Sequence, residues 1–111
     1  MRVNEEWFDQ ILSVLRSKHQ RKILYLFKDD KAYNYTEVMK MVGYKTSNVF
    51  AFHLRALLNA KLVKKENNLY FISRLGIETI KLLDQYKQIC MSFDLSDCDA
   101  DGRVKLMVVR N

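Results

Sequence analysis

The chain has 111 residues, of which 49% are hydrophobic and 29% charged, and its formal net charge is +6. This length and composition predict one globular domain and exclude the collagen, coiled-coil and low-complexity classes. The sequence has no apolar run near the roughly 20 residues that a membrane-spanning helix requires. The basic excess favours a polyanionic partner, and because the acidic start of the chain is unlike a secretory signal, we expect a cytoplasmic protein with no membrane partner.

Two helices are predicted at the start of the chain by their caps and by the helical spacing of their apolar residues. Asn4 can cap the first helix, and the acidic residues that follow it suit the positive end of the helix dipole. Ser17, followed three residues later by Gln20, forms a capping-box pattern at the start of a second helix. We expect this second helix to end near Lys28.

A short third helix and a longer fourth helix follow. Thr36 can cap the third helix, which stops at Gly43, a residue type common at helix C-termini. Thr46 or Ser47 can cap the fourth helix, which is apolar along one side. The opposite stripe of the fourth helix consists of Asn48, Ala51, Arg55 and Asn59.

The last part of the chain carries hairpin, helix and strand signals. Asn67-Asn68 lies between two short strand-like runs and tolerates the positive backbone angles of a hairpin turn. Ser73 can cap a long last helix that runs to about Cys90. Beyond it, the turn signal Asp101-Gly102 and the apolar run that follows are compatible with a C-terminal strand or hairpin.

Helix, helix, short helix, turn, helix, hairpin and helix is the element order of a winged helix-turn-helix. In that fold the fourth helix enters the DNA major groove, and the hairpin reaches the adjoining backbone or minor groove. We therefore predict a mainly α (α+β) winged helix-turn-helix with five helices, a short β-hairpin wing and, if the tail folds, a C-terminal strand. The expected division is a DNA-binding domain over residues 1–92 and a C-terminal extension over residues 93–111.

A family resemblance is carried by residues in and after the fourth helix. They are Phe52-His53-Leu54, Leu57, Ala60-Lys61-Leu62-Val63, Tyr70, Ser73 and Gly76. Over roughly residues 10 to 90, this pattern resembles the winged-helix regulators of the ArsR and MarR type, especially compact archaeal and archaeal-virus members. Lys61 departs from the pattern, because the family usually has Gly at that position. A left-handed backbone angle there would be unfavourable for a lysine.

DNA recognition by this fold needs polar or small side chains at the start of the fourth helix and basic or polar groups around it. Arg55 could bind guanine or phosphate, and Asn48 could pair with adenine. Ala51 or Phe52 could touch a thymine methyl group, although Phe52 could equally belong to the core. The predicted DNA-binding residues are Tyr35, Thr36, Lys45, Thr46, Ser47, Asn48, Ala51, Phe52, Arg55, Lys64, Lys65, Asn67 and Asn68.

Charge and strand geometry limit the part that the wing can play. Seven basic residues and one acidic residue lie between Lys40 and Arg74, which gives this segment a local charge of +6. Strand alternation sends Lys64 and Lys65 to opposite faces, so only one of them can follow the DNA backbone. The wing tip has no arginine, which argues for polar phosphate contacts and weak minor-groove reading.

Apolar residues on the first and last helices predict a two-fold dimer that buries both helices. The alternative is that these residues only complete the core of a monomer. The predicted interface residues are Trp7, Phe8, Ile11, Leu82, Tyr86 and Ile89.

Other chemistries find little support in the sequence. His53 has no evident partner for catalysis and is interpreted as a packed or hydrogen-bonded helix residue. Neither His53 nor the two cysteines, Cys90 and Cys98, occur in a metal-ligand pattern, although the cysteines could form an internal or intersubunit disulfide. Asp97-x-Asp99-x-Asp101-Gly102 copies the opening of a calcium loop but lacks the closing glutamate, which favours an acidic turn.

These observations favour sequence-specific binding of double-stranded DNA by a homodimeric transcriptional regulator. Repression by occlusion is the simplest mechanism, and we expect no enzymatic activity and no cofactor. The alternative is a protein-interaction winged-helix module whose basic face is only solvated. A third hypothesis is a ligand or redox sensor that acts through the tail, for which Cys90 and Cys98 are the only support.

Overall fold

Residues 4–93 are described by the computed structural model and form five α-helices and a three-stranded antiparallel sheet. In chain order the elements are α1 (Glu5–Arg16), α2 (Lys18–Leu26), a short 3-10 turn (Phe27–Asp29), β1 (Tyr33–Asn34), α3 (Tyr35–Val42), α4 (Ser47–Asn59), β2 (Val63–Glu66), β3 (Leu69–Ile72) and α5 (Arg74–Met91). The chain divides into two compact units, Met1–Ile80 and Lys81–Asn111, and the core and the sheet belong to the first.

Side-chain caps set the starts of the first three helices. The Asn4 carboxamide oxygen accepts a hydrogen bond from the Trp7 amide at 3.1 Å, and the Ser17 hydroxyl accepts one from the Gln20 amide at 3.3 Å, as predicted. The predicted cap of α3 is wrong, because α3 begins at Tyr35 and is capped by Asn34 rather than Thr36. Asn34 is the cap because Glu37, three residues later, completes a reciprocal capping box, in which the two side chains accept hydrogen bonds from two backbone N–H groups.

The sheet has the order β1-β3-β2, so β3 is its central strand. The predicted hairpin of β2 and β3 turns at Asn67 and Asn68, whose φ angles are 51° and 67°. Both asparagines therefore occupy the left-handed region that a tight hairpin turn requires. The sequence did not predict β1, which consists of two residues and pairs with β3 from Tyr33 to Tyr70.

A buried core holds α4 in place against α2, α3 and the sheet. On α4 the fully or almost fully buried residues are Phe50, Leu54 and Leu57. Burying each of these side chains stabilises the fold by roughly 1.5–3 kcal/mol relative to leaving it in water. The remaining hydrophobic core residues are Val14, Ile23, Leu24, Phe27, Val38, Val42, Ala60, Leu62, Val63, Tyr70, Ile72 and Ile80.

The corner between α4 and the wing places Lys61 in the backbone conformation that the sequence analysis describes as unfavourable for a lysine. Its φ angle is +66°, so a non-glycine residue is held in the left-handed region. The Ser73 hydroxyl donates a hydrogen bond to the Lys61 carbonyl oxygen at 2.6 Å. It also accepts one from the Gly76 amide at 2.9 Å, so Ser73 caps α5 as predicted. Gly76 is required because a Cβ there would lie 2.3 Å from the Leu62 carbonyl oxygen.

The element order and the sheet are those of a winged helix-turn-helix, with β2 and β3 as the wing. None of the helices within residues 4–93 is long and apolar enough to cross a membrane. The expected C-terminal strand, the acidic turn of Asp97 to Gly102 and Cys98 lie outside the described residues. The expected domain boundary after residue 92 stays a prediction.

Candidate nucleic-acid interface

One exposed stripe runs along α4 on the side opposite its buried residues. Asn48, Phe52, Arg55 and Asn59 follow each other at helical spacing, and all four side chains are exposed. Phe52 has 64% of its surface exposed, so the alternative that it belongs to the core is wrong. Because Phe50, Leu54 and Leu57 occupy the inward face, the helix turns Phe52 outward. The predicted stripe had Ala51 in place of Phe52, and this part of the prediction is wrong, because Ala51 is half-buried at the edge of the stripe.

The start of α4 is also exposed. Lys45, Thr46 and Ser47 are exposed, and Thr46 occupies the N-cap position. Its side chain makes no capping hydrogen bond, so the backbone N–H groups of the first turn lack a side-chain acceptor there. A helix start of this kind attracts anions, because its N–H groups and the positive end of the helix dipole point the same way.

Tyr35 joins the starts of α3 and α4. Its hydroxyl lies 3.1 Å from the Ser47 carbonyl oxygen and 2.8 Å from the Ser47 hydroxyl. Its half-buried ring packs edge-on against Phe50, with the ring centroids 4.9 Å apart. Tyr35 is one of the predicted DNA-binding residues, but its hydroxyl is engaged with Ser47, so that Tyr35 helps to orient the start of α4.

A cavity of about 220 Å³ lies between the start of α3 and the wing. Four predicted DNA-binding residues line it: Tyr35, Thr36, Lys65 and Asn68. The Lys65 ammonium lies 5.6 Å from the centroid of the Tyr70 ring, a cation–π distance that holds the side chain over the sheet. Asn67 is exposed at the hairpin tip.

Lys64 and Lys65 face different sides of the wing, as predicted from strand alternation. Lys64 lines a larger groove of about 640 Å³ together with Trp7, Lys61 and Arg74, none of which lines the cavity at Lys65. The structure therefore groups Lys65 with the start of α3 and separates Lys64 from it.

A polar cluster supports the half-buried side of α4. The Gln20 amide nitrogen lies 3.1 Å from His53 Nδ1, and the rings of His19 and His53 stack with centroids 5.2 Å apart. This contact confirms that His53 is a hydrogen-bonded helix residue. Burial, and secondarily the charge of His19, lower the pKa of His53 below its usual value.

Tyr44 packs beside this cluster, with its ring centroid 5.9 Å from that of His53. Its hydroxyl is buried without a hydrogen-bond partner among the described residues, and burial raises the pKa of the phenol. Within residues 4–93, no group of three or more His, Cys, Asp or Glu side chains is arranged to hold a metal ion.

The predicted dimer residues fall into both compact units. On α1, Trp7 and Phe8 are exposed, and the Trp7 indole N–H donates to the Ala60 carbonyl oxygen at 3.0 Å. Ile11, a third predicted interface residue of α1, is half-buried, and its side chain packs against the core. On α5, the exposed apolar residues of the second unit are Leu82, Tyr86, Ile89 and Met91.

Comparison with known proteins establishes the fold. No protein-family model and no curated protein sequence matches this chain. The solved structure of quinone-bound YodB from B. subtilis matches with a TM-score of 0.66 and 14% identity, covering 78% of this chain and 97% of that one. An ArsR family transcriptional regulator matches with a TM-score of 0.56 and 14% identity, covering 82% of this chain and 96% of that one. The predicted winged-helix fold is confirmed.

Three residues near the interface were not predicted from the sequence to lie there. Asn34 lines the cavity beside Lys65, and its capping-box spacing to Glu37 was a readable signal. Val49 has about half of its surface exposed on α4, which helical periodicity alone does not require. Gln20 was predicted only as part of a cap, and its side chain instead contacts His53, which no local pattern could reveal.

Proposed function

We propose that this protein binds double-stranded DNA sequence-specifically as a homodimeric transcriptional regulator and represses by occluding its operator. The observation that carries the proposal is the exposed stripe of α4, where Asn48 and Arg55 face outward from a helix anchored by three buried residues. Likeness to an ArsR family transcriptional regulator supports it, since that protein shares the fold. The net charge of +6 supports a polyanionic partner.

In this proposal α4 lies in the major groove and reads base edges. Arg55 has the geometry to donate two hydrogen bonds to guanine, and Asn48 can pair with adenine. Ala51, at the edge of the stripe, can approach a base without obstruction because its side chain is small. The uncapped start of α4, with Lys45, Thr46 and Ser47, binds the flanking phosphates.

The cavity between α3 and the wing provides a second contact with the DNA backbone. Thr36 and Asn68 offer polar groups there, and Lys65 adds a positive charge. Asn67 contacts a phosphate from the hairpin tip. Tyr35 acts indirectly by positioning Ser47, and Lys64 contributes only to the general electrostatic attraction, because it lines the other groove.

The apolar side chains of α1 and α5 bury themselves in a two-fold interface. All the interface residues belong to the proposed DNA-binding domain of residues 1–92. The exposed side chains of the interface are Trp7 and Phe8 on α1 and Leu82, Tyr86 and Ile89 on α5, and the half-buried Ile11 packs behind those of α1. Two subunits then place two α4 helices on half-sites separated by about one turn of DNA, roughly ten base pairs. The extension of residues 93–111 is assigned no contact with DNA.

Selection of bound sequences from a random duplex pool tests the proposal. We expect a palindrome with half-sites about ten base pairs apart, and an affinity that falls steeply with salt as phosphate contacts release counterions. Light scattering of the complex checks the expected two subunits. If no sequence is enriched at low salt, the proposal is wrong, and the exposed Phe52 and Val49 would instead favour a protein-interaction module.

A further inference from the structure

We infer that Phe52 recognises the 5-methyl group of thymine, so that each operator half-site carries thymine opposite the middle of α4. This inference rests on the proposed function and adds to it the chemistry of one base position. It assigns Phe52 the role of a specificity-determining residue, in addition to the polar contacts of Asn48 and Arg55.

The exposure of Phe52 needs an explanation that packing does not provide. Among the large apolar side chains of residues 4–80, Phe52 is the most exposed, with 64% of its surface accessible. Leaving most of an aromatic ring in water forfeits most of the free energy that burial of such a side chain contributes. A contact made only in a complex would recover part of that energy.

The position of Phe52 identifies the kind of contact. It lies four residues after Asn48 and three residues before Arg55, so the ring stands in the middle of the outward stripe. Its edge-on contact with His53, with centroids 5.4 Å apart, steadies the ring at its inner side. If Asn48 and Arg55 reach base edges, the Phe52 ring must meet the base pair between them.

The major groove offers one apolar group to such a ring. Guanine, adenine and cytosine present hydrogen-bonding atoms there, whereas thymine adds its 5-methyl group beside one acceptor. A phenyl ring against a polar base edge would displace water without replacing its hydrogen bonds, which is unfavourable. Phe52 therefore selects thymine both by a favourable methyl contact and by penalising the other bases. Val49, exposed one turn earlier, extends the apolar surface toward a neighbouring base pair.

Substitution of deoxyuridine for thymine tests the inference, because it removes the methyl group and nothing else. With the duplex enriched from the random pool, replacing one thymine at a time should weaken wild-type binding by roughly fourfold at each contacted position. The Phe52→Ala variant should bind the thymine duplex more weakly and show no further loss with deoxyuridine at the position that Phe52 contacts. Met41→Ala, which removes an exposed apolar side chain of α3, should retain the wild-type response.

The outcomes separate this inference from the function on which it rests. If a duplex is enriched but wild-type protein binds every deoxyuridine version equally well, thymine recognition is wrong and DNA binding stands. If Phe52→Ala keeps the wild-type response to deoxyuridine, another residue makes the methyl contact and the inference is likewise wrong. If no duplex is enriched at low salt, the proposed function itself fails. Circular dichroism of Phe52→Ala checks that the variant remains folded.

Discussion

The two faces of α4 differ in what their side chains touch. Leu54 and Leu57 on the inner face are almost completely buried, while Asn48 and Arg55 on the outer face are exposed. One helix therefore separates two tasks: the inner face contributes to folding free energy, and the outer face is available for a ligand. Substitutions on opposite sides of the same helix should therefore be separable into stability effects and binding effects.

The largest effect is expected from Leu57→Ala, on the inner face. Because Leu57 is fully buried, removal of its side chain should lower the free energy of unfolding by about 2–5 kcal/mol, through lost burial and a residual cavity. Urea unfolding followed by circular dichroism measures the change. Met41→Ala is the control, since Met41 is about half exposed, and it should change stability by less than about 0.5 kcal/mol. Equal losses in both variants would contradict the separation of faces.

Arg55→Ala tests the outer face. It should weaken binding to the selected duplex by about 1–3 kcal/mol while the unfolding free energy changes by less than about 0.5 kcal/mol. Fluorescence anisotropy with the selected and a scrambled duplex provides the measurement. Arg55→Lys keeps the charge but not the two-pronged geometry. If it binds like wild type, Arg55 contacts phosphate, and if it binds like the alanine variant, Arg55 contacts guanine. Unchanged binding by Arg55→Ala would exclude Arg55 from the interface.

The two wing lysines provide a comparison at matched charge. Lys65→Ala should weaken binding uniformly across sequences and reduce the slope of log affinity against log salt by about one unit, as loss of one phosphate contact requires. Lys64→Ala should have a smaller effect on both quantities, because Lys64 lines the other groove. Salt titrations of both variants on one duplex measure the slopes. A larger effect for Lys64→Ala would reverse the assignment of the wing faces.

Lys61→Gly tests the corner that ends α4. Its φ angle of +66° suits glycine, so relief of the left-handed strain should outweigh the greater flexibility of the unfolded chain and stabilise the fold by up to about 1 kcal/mol. Thermal and urea unfolding report the difference. Lys64→Gly is the control, because glycine in a strand should destabilise the fold. A stability loss in Lys61→Gly similar to that of the control would show that strain is absent at the corner.

The smallest effect is expected from the His53 cluster. The pKa of His53 is lower in the folded protein than in the unfolded chain, so the unfolded state binds more protons once the pH falls below the usual histidine value. Unfolding free energy should therefore decrease as pH falls from about 7.5 through about 6.5.

Urea midpoints at several pH values measure this decrease. His53→Gln should reduce it, and Lys22→Ala, an exposed change on α2, should leave it unaltered. His19 and Tyr44 face His53 and remain present in both variants. An unchanged pH dependence in His53→Gln would assign the effect to other groups.

Local signals in the sequence were sufficient for most of the fold. Asn4, Ser17 and Ser73 were identified as caps from residue type and position, and Gly43 was identified as a helix end. Each of these features depends on hydrogen bonds or backbone angles within a few residues of chain. The short strand β1 was missed because two residues carry no periodicity, and its pairing partner lies in β3, far along the chain.

The candidate site was predicted as a set of residues, and the tertiary structure decided how they are grouped. Helical and strand periodicity were enough to predict the order of elements, three of the four residues of the outward stripe of α4 and the opposite directions of Lys64 and Lys65, since these follow from the repeat of the backbone. Only packing decided that Tyr35 is engaged with Ser47 and that Lys65 rather than Lys64 lies near the start of α3. The physical reason is that such facts depend on which distant segments occupy the space beside each side chain.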